Sequence, residues 1–408
     1  MTEQQIDAGL QTLELEFGKD RVGRAIEAVK NFGIEIPSWI FGDFGGGRFA
    51  GYMPPGYARN IFEKLDDAAF VNKLTGATER IAVHVLWDFS EDGENYSSNI
   101  AEQVNQAAGE RGLKIGSISP TYFLKGSYRG SLSAMEEDTR ARYIDQTLFA
   151  AQMAKKVGSN LVTLWFPDGS LYPGQLELRR AFANMRDSIV RACSQMDADI
   201  TVLVEYKVFE PGTYSTTIPD WGTAYLIARS IGPRAGVLVD LGHHHHATNI
   251  EQIVAELIQE GMKGGFHFNT RYAADDDHAV EPNPEMARIF YELVVGEVIN
   301  NPDDSKNWAY MIDQCSGREN RIHAILHSVD SLQLSLAKAM LVDRDKLESY
   351  QAQDEILLAN RIFNDALINA DVRPIVAAAR LDKNLPADPV QAYVQSGYQQ
   401  KINQERSS

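Results

Sequence analysis

Two stretches of the sequence decide the fold, Ile200-Thr-Val-Leu-Val-Glu-Tyr-Lys207 and Gly236-Val-Leu-Val-Asp-Leu-Gly-His243. Each contains a run of aliphatic and β-branched residues that ends in a carboxylate. Continuous apolar runs of this length are typical of parallel strands that are covered on both faces. The two stretches therefore predict buried parallel strands, each with an acid at its carboxyl end.

Similar runs recur along the whole chain. Eight candidate strands are predicted, at 34–40, 80–87, 113–119, 160–166, 200–206, 236–241, 264–269 and 308–313. Helix-compatible spacing of apolar residues lies between most of them, at 101–111, 134–157, 176–194, 221–231, 249–260 and 284–299. This alternation predicts an α/β protein with a closed (β/α)₈ TIM barrel. A doubly wound open sheet is the alternative, but no G-x-G-x-x-G or Walker A sequence follows any predicted strand.

The remaining segments are predicted to be helical extensions of one barrel. The barrel is expected to occupy residues 31–330, after an N-terminal helical extension over residues 1–30. Residues 331–408 are expected to form a C-terminal helical extension with a polar tail, and the tail from residue 395 is expected to fray.

Composition narrows the class of protein. Of 408 residues, 39 are Lys or Arg and 56 are Asp or Glu, so the formal charge is −17, and we expect no nucleic-acid partner. No run approaches the roughly 18 apolar residues of a membrane span, and no basic segment precedes an apolar one at the N-terminus. Two cysteines, Cys193 and Cys315, are too few for a disulfide framework or a thiolate zinc site. We therefore expect a cytoplasmic protein without membrane contact, whose metals are bound by carboxylates and histidines.

Polar residues end four consecutive predicted strands. They are Glu205, Asp240, His267 and Asp313. The carboxyl ends of the strands form the active-site face of a barrel, and three carboxylates with one imidazole suit Mn²⁺, Mg²⁺ or Co²⁺. A single acid at a strand end is more often a helix cap or part of a surface ion pair. Four in succession favour a metal site.

A second group of metal-ligand types lies close by in the sequence. His243 follows Asp240, and Asp275 and Asp277 lie in the loop after strand seven, where an extended backbone would point both the same way. A solvated acidic loop is the alternative. His243 begins a run of four histidines; the other three are expected to support it or to face solvent. The pattern favours two metal ions rather than one.

Other polar and aromatic residues follow the strands at the same rim. Lys207, two residues past Glu205, would stabilise charge on a sugar oxygen, unless it pairs with a surface acid. His84, Trp87 and Trp165 suit a polyol, whose C–H faces stack on rings while its hydroxyls bind polar groups. Each of these three residues alone is more often part of the core, but together they favour a polyol such as a sugar as the substrate.

These residues resemble the motifs of the L-rhamnose isomerases, which have a xylose-isomerase-like barrel, and in particular the broad-specificity bacterial type that also acts on D-allose. The resemblance extends over about residues 20–380. Besides the strand-end motifs it rests on these pieces: Ile36-Pro-Ser-Trp39, Gly47-Arg-Phe49, Asn60-Ile-Phe-Glu-Lys64, His84–Trp87, and Trp165 with Asp168-Gly-Ser170.

The resemblance implies two divalent ions per subunit, Mn²⁺ first, with Co²⁺ or Mg²⁺ as alternatives. Glu205, Asp240, His267 and Asp313 would bind one ion, and His243, Asp275 and Asp277 would complete the site of the other. The sugar would contact Trp39, Phe49, His84, Trp87, Trp165 and Lys207. Phe49 corresponds to an aromatic that reaches into a neighbouring subunit's pocket, which implies a homotetramer.

The implied reaction is reversible aldose–ketose isomerisation, which moves hydrogen between C1 and C2 of L-rhamnose and other aldoses such as D-allose. Asp313, Lys207 and His243 are the candidate catalytic residues. Both a hydride shift and proton transfer through an enediolate remain open. The alternatives are a ketose 3-epimerase with one metal ion, a barrel endonuclease and a sugar-binding barrel without catalysis.

Overall fold

Eight parallel strands form a closed barrel in the computed structural model, which describes residues 1–42, 55–123, 126–210, 212–271, 278–314 and 319–407. The strands are β1 Glu35–Pro37, β2 Arg80–His84, β3 Lys114–Ser119, β4 Leu161–Leu164, β5 Thr201–Glu205, β6 Ala235–Asp240, β7 Lys263–Phe268 and β8 Ala309–Ile312. Each pairs with its neighbours in the sequence, and β1 pairs with β8 to close the barrel. The predicted (β/α)₈ barrel is confirmed.

Helices cover the outside of the barrel and both ends of the chain. Two precede β1, namely α1 Glu3–Phe17 and α2 Lys19–Asn31. Those between and after the strands are α3 Ile61–Thr75, the short α4 Val85–Asp88, α5 Ser98–Glu110, α6 Glu137–Lys156, α7 Leu178–Cys193, α8 Trp221–Ile231, α9 Ile250–Gln259, α10 Pro284–Val295 and α11 Arg321–Leu341. The C-terminal helices are α12 Arg344–Ala352, α13 Ile356–Asn364, α14 Arg373–Leu381, α15 Pro389–Ser396 and α16 Tyr398–Glu405.

Local sequence signals fix the ends of these helices. Asn249 accepts the backbone N–H of Gln252 at the start of α9, and Gly261, with φ of 63°, follows its end. The Gln252 side chain donates to Glu256 instead of reaching back to the cap. The asparagine therefore caps α9 without the reciprocal bond of a capping box.

Apolar packing occurs in two separate layers. The large core lies between the strands and the helices. A small cluster of Leu203, Leu238 and Met311 fills the barrel interior, and each of these residues lies two positions before a predicted metal ligand. The fourth position of this layer, Gly265, has no side chain, and a Cβ there would lie 2.7 Å from Cδ1 of Leu203. The layer forms a tight apolar floor beneath the carboxyl end of the barrel.

The C-terminal segment is ordered by helices, so the prediction that the tail frays is wrong. The ring of Tyr398 stacks on Phe70 at a centroid distance of 3.9 Å. Arg406 forms two bonds to the carboxylate of Asp67, of 2.7 and 2.9 Å, and both residues are buried. A buried carboxylate requires a counter-charge, and the tail supplies it.

Helices α1 and α2 lie against α14, and α2 also packs on α11. The division of the chain at residues 30 and 330 stays a prediction, although α11 extends across residue 330. Among the described helices, none is both long enough and apolar enough to cross a membrane.

Candidate metal centre

The register of the barrel brings the four predicted strand-end ligands to one level. Asp240 on β6 lies opposite His267 on β7, and Glu205 on β5 lies opposite Leu238, two residues before Asp240. Asp313 is the first residue after β8, which pairs with β7 in the same parallel sense. Residues two positions apart share a face of a strand, so the four side chains converge inside the barrel.

The distances within this group fit the ligands of a single ion. Nδ1 of His267 lies 3.3 Å from Oε1 of Glu205, 3.5 Å from Oδ2 of Asp313 and 3.7 Å from Oδ2 of Asp240. One ligand atom from each of the four residues lies within 4.8 Å of the others. Two ligands bound to one ion at about 2.1 Å are roughly 3.0–3.4 Å apart, in octahedral or tetrahedral geometry. The distances from His267 lie within or slightly above this range, so one ion could draw the four ligand atoms into a coordination shell.

Two buried polar atoms in this cluster lack hydrogen-bond partners. Among the described residues, Oδ2 of Asp240 and Nδ1 of His267 have none of acceptable geometry. Leaving such an atom unpaired costs about 1–3 kcal/mol. A cation between the two residues would satisfy both atoms, so the residues present fit a bound metal ion.

The other oxygens of the carboxylates are held by hydrogen bonds. Oδ1 of Asp240 accepts from the side chain of Asn269 at 3.0 Å and from the N–H of Gly242 at 2.8 Å. Oδ1 of Asp313 accepts from the indole N–H of Trp39 at 2.8 Å. In each residue the second oxygen is turned toward His267, as is usual where outer hydrogen bonds orient metal ligands.

The charges of the cluster shift its pKa values strongly. Burial acts to lower the pKa of His267, but Glu205, Asp313 and Asp240 outweigh it and raise that pKa to about 10. Burial raises the pKa of Asp313 to about 6 and also raises the pKa of Asp240. Burial acts to raise the pKa of Glu205, but His267 and His243 hold it at about 2. The imidazole of His267 is thus the cation of the cluster, a role that a metal ion can take over.

His243 lies at the edge of the same cluster. Its Nδ1 is 3.2 Å from Oε1 of Glu205 and 3.0 Å from the carbonyl oxygen of Tyr206. A carbonyl only accepts, so Nδ1 carries a proton, and loss of the proton on Nε2 would leave there the lone pair that a metal requires. His244 is buried, and its Nε2 lies 2.7 Å from the Tyr206 hydroxyl, which fixes the turn that carries His243.

A row of aromatic side chains lines the mouth of the barrel beside the cluster. The ring of His84 lies 5.2 Å from that of Trp39 and 4.3 Å from that of Trp87, centroid to centroid. Phe123 follows, 5.3 Å from Trp87 and 5.5 Å from Trp165. Burial lowers the pKa of His84 to about 3, so its imidazole is neutral. We refer to these five residues as the aromatic wall.

Lys207 lies at the end of the aromatic wall. Its ammonium is 5.2 Å from the ring centroid of Trp165 and donates to Glu210 at 2.6 Å. Its charge also opposes protonation of His243, which places it within electrostatic range of the metal cluster. The lysine therefore pairs with an acid, as the alternative interpretation expected, and is nevertheless buried beside the predicted sugar pocket.

Three predicted site residues lie outside the described part of the chain. They are Asp275, Asp277 and Phe49. Cys315 also lies there, whereas Cys193 is buried, and burial raises the pKa of its thiol to about 12. A thiol with such a pKa is unreactive.

Comparison with known proteins places this geometry in a family. A family model described as "Xylose isomerase-like TIM barrel" matches residues 81–288, about half of the chain. The chain belongs to this family. A probable sugar isomerase of Mesorhizobium japonicum is 37% identical over 399 residues, covering 95% of this chain and 90% of the relative. A probable sugar isomerase of Rhizobium meliloti is 37% identical over 411 residues, covering 97% of this chain and 93% of the relative.

Solved structures share the barrel fold at low sequence identity. An L-ribulose 3-epimerase superimposes with a TM-score of 0.54 at 12% identity, covering 80% of this chain and 98% of that chain. A D-psicose 3-epimerase from Clostridium cellulolyticum H10 superimposes with a TM-score of 0.50 at 10% identity, covering 77% and 98%. These matches support the xylose isomerase-like fold and carry no information about the reaction.

One buried group in this family barrel was not predicted from the sequence. The carboxylate of Asp88 accepts from the Ser38 hydroxyl at 2.6 Å, from the N–H of His84 at 2.9 Å and from the Lys64 ammonium at 2.8 Å. Asp88 therefore links Ser38, the residue before Trp39, to His84 at the end of β2. Asp88 also follows an apolar run, so the signal that identified the metal ligands applies to it as well.

Proposed function

We propose that the protein is a metal-dependent aldose–ketose isomerase that interconverts L-rhamnose and L-rhamnulose and also acts on other aldoses such as D-allose. One observation carries this proposal: four candidate metal ligands at strand ends, two of which have an unpaired buried polar atom, converge beside the aromatic wall. Oxygen-rich ligand sets with one imidazole suit Mn²⁺, with Co²⁺ or Mg²⁺ as alternatives. The relatives in Mesorhizobium and Rhizobium are named probable sugar isomerases, which supports the same class of reaction.

Two ions are proposed for each subunit. Glu205, Asp240, His267 and Asp313 would bind the first, and His243 would bind the second through Nε2, together with Asp275 and Asp277. When bound, divalent ions polarise the sugar carbonyl and lower the pKa of the adjacent hydroxyl.

The aromatic wall would orient the sugar. Trp39, His84, Trp87 and Trp165 present ring faces to its C–H groups. The indole N–H of Trp165 is buried and has no hydrogen-bond partner among the described residues, so it is available to a sugar hydroxyl. The Lys207 ammonium, held by Glu210, would stabilise negative charge on a sugar oxygen.

Asp313 is proposed to move the proton between the O1 and O2 oxygens. Burial raises its pKa to about 6 in the absence of metal, and a bound cation would lower that pKa, so the carboxylate would serve as a proton acceptor at neutral pH while Trp39 keeps it in place. Phe49 is proposed to complete the pocket of a neighbouring subunit in a homotetramer. Light scattering on the purified protein tests the tetramer. The mass of a monomer would exclude a contribution of Phe49 to a neighbouring pocket.

The decisive experiment uses one batch of enzyme. The protein is stripped with a chelator, restored with Mn²⁺ and incubated with a panel of aldoses that includes L-rhamnose and D-allose. We expect no ketose from the stripped enzyme and ketose from both sugars after restoration. Failure of every aldose to yield ketose with a fully loaded enzyme would refute the proposal.

A ketose 3-epimerase with one metal ion is the second candidate. It is favoured by the presence of one complete ligand cluster in the described residues. Metal analysis and a ketose panel separate the two: one Mn²⁺ per chain with ketose-to-ketose conversion supports the epimerase, and two with aldose conversion supports the isomerase.

A further inference from the structure

The buried carboxylate of Asp168 connects two loops at the carboxyl end of the barrel. Its Oδ2 accepts the N–H of Ser131 at 2.6 Å, and both the N–H and the hydroxyl of Ser133, at 3.1 and 2.6 Å. Its Oδ1 accepts the hydroxyl of Ser131 at 2.7 Å. Asp168 follows β4 and both serines follow β3, so one side chain holds these two loops together.

The backbone at Asp168 contacts a third loop, which follows β5. The carbonyl oxygen of Asp168 accepts the N–H of Thr217 at 2.7 Å. The next residue, Gly169, pairs with Thr216 in a short antiparallel ribbon. A Cβ at Gly169 would lie 1.9 Å from the carbonyl oxygen of Ser215, so this close pairing requires glycine.

The third loop holds Lys207 at its backbone and at its ammonium. The Thr216 hydroxyl donates to the carbonyl oxygen of Lys207, and the N–H of Lys207 donates to the carbonyl oxygen of Ile218 at 3.1 Å. Glu210, which accepts from the Lys207 ammonium, belongs to the same loop. The contacts of Asp168 therefore continue through this loop to Lys207.

We propose that Asp168 is a positioning residue for Lys207 and Trp165. Trp165 lies three residues before Asp168 in the same loop, and its ring centroid is 5.2 Å from the Lys207 ammonium. The inference rests on the proposed function, in which both residues contact the sugar. The four hydrogen bonds of Asp168 use the roughly four lone-pair positions of a carboxylate, so it acts through geometry and not as an acid or a base.

Two substitutions separate geometry from charge. D168A removes every acceptor, whereas D168N keeps one oxygen for the position of Oδ2, and its NH₂ can donate to the Ser131 hydroxyl, which also accepts. A misplacement of about 1 Å can cost roughly 100-fold in rate, so we expect kcat/KM of D168A to fall roughly 10- to 100-fold. D168N should stay within about threefold of the unmodified protein, because its partners are retained. An equal loss in both variants would overturn the proposal.

Asp92→Ala is the matched control. Asp92 also accepts four hydrogen bonds, from Ser90, Glu94 and Asn95, in the exposed loop between α4 and α5. All of these partners lie in its own loop, so D92A removes a similar set of bonds without releasing another loop. We expect D92A to keep the unmodified activity. A loss as large as that of D168A would refute a specific role of Asp168.

Hydrogen exchange gives a readout that does not depend on any reaction. Mass spectrometry on the full-length protein would follow the amides in peptides that span residues 127–134 and 205–218. D168A should raise exchange in both peptides, whereas D168N and D92A should leave both protected. If no protein forms ketose but D168A alone shows this change, the proposed reaction fails and the positioning role is supported. Unchanged exchange over residues 205–218 in D168A would refute the positioning role, whatever the reaction proves to be.

Discussion

The indole Nε1 of Trp39 lies 2.8 Å from Oδ1 of Asp313 and donates a hydrogen bond to it. Trp39 follows β1 and Asp313 follows β8, so this bond spans the seam at which the barrel closes. It also joins the aromatic wall to the metal cluster. The position of Asp313, a candidate ligand, therefore depends on Trp39, which is proposed to contact the sugar.

Replacing Trp39 by phenylalanine should remove this bond while leaving a ring in place. A hydrogen bond to a charged group contributes about 1.5–3 kcal/mol, so we expect kcat to fall roughly 10- to 100-fold with the fold retained. Steady-state kinetics and Mn²⁺ titration provide the measurement. Trp221→Phe, on α8, is the matched control, and equal activity of both variants would contradict the role of Trp39.

Asp240→Asn should abolish binding of the first ion. The amide keeps the shape of the carboxylate, so the loss of charge is isolated, and we expect Mn²⁺ affinity to fall at least about 100-fold and ketose formation with it. Asp220→Asn is the matched control, because Asp220 accepts the N–H of Thr223 at the start of α8 and lies outside the cluster. Retained Mn²⁺ binding in Asp240→Asn would exclude this residue as a ligand.

Binding of Mn²⁺ should weaken as the pH falls. Nearby carboxylates, acting against burial, raise the pKa of His267 to about 10 and that of His243 to about 9. Both imidazoles are therefore protonated at pH 7 before metal binds, and a metal ligand must be neutral. For each proton that the metal displaces, the Mn²⁺ affinity should fall about tenfold for every unit by which the pH decreases between pH 9 and 6. Calorimetry in buffers of different ionisation heat measures the released protons, and affinity independent of pH would refute this linkage.

Isomerisation in D₂O should leave the ketose C1 free of solvent deuterium. Beside the aromatic wall, Glu210 is paired with Lys207 and Asp88 with Lys64, and the carboxylates of the metal cluster face His267. Each of these carboxylates is therefore already engaged, which makes it a poor base for the C2 proton. We therefore expect hydrogen to move directly from C2 to C1. NMR of the product gives the answer, and full incorporation of label at C1 would establish the enediolate route instead.

Arg406→Met should destabilise the whole fold. The variant leaves the carboxylate of Asp67, which is 2% exposed, without its cation. Removing one partner of a buried ion pair costs about 3–5 kcal/mol. Arg373→Met, which breaks an exposed pair with Asp371, should cost less than about 1 kcal/mol. Urea unfolding distinguishes the two, and similar midpoints would show that the tail contributes little.

The barrel and the convergence of four strand-end side chains could be predicted because both depend on short-range sequence patterns. Apolar runs of five or six residues identify the strands, and the residue that ends each run marks the candidate ligand. Trp165 and His84 were found by the same rule. The positions of Asp275 and Asp277 remain predictions, since they lie outside the described residues.

Other features depended on partners that are distant in the sequence. Helix α3 was not predicted, because its buried face carries Lys64 and Asp67, which obscure the apolar period. Their partners, Asp88 and Arg406, lie 24 and 339 residues away. Periodicity within one segment contains no information about such pairs. The tail was predicted to fray for the same reason.

The apolar floor inside the barrel has a consequence for engineering. Gly265 leaves room for Leu203, and Leu203 lies two residues before Glu205, so even a methyl group added here would shift the spacing of the ligands above it. Variant libraries intended to broaden the range of accepted sugars should therefore randomise the residues of the aromatic wall and keep the residues of the apolar floor constant. Substitutions in the apolar floor would alter the binding of the metal ions before they altered the choice of sugar.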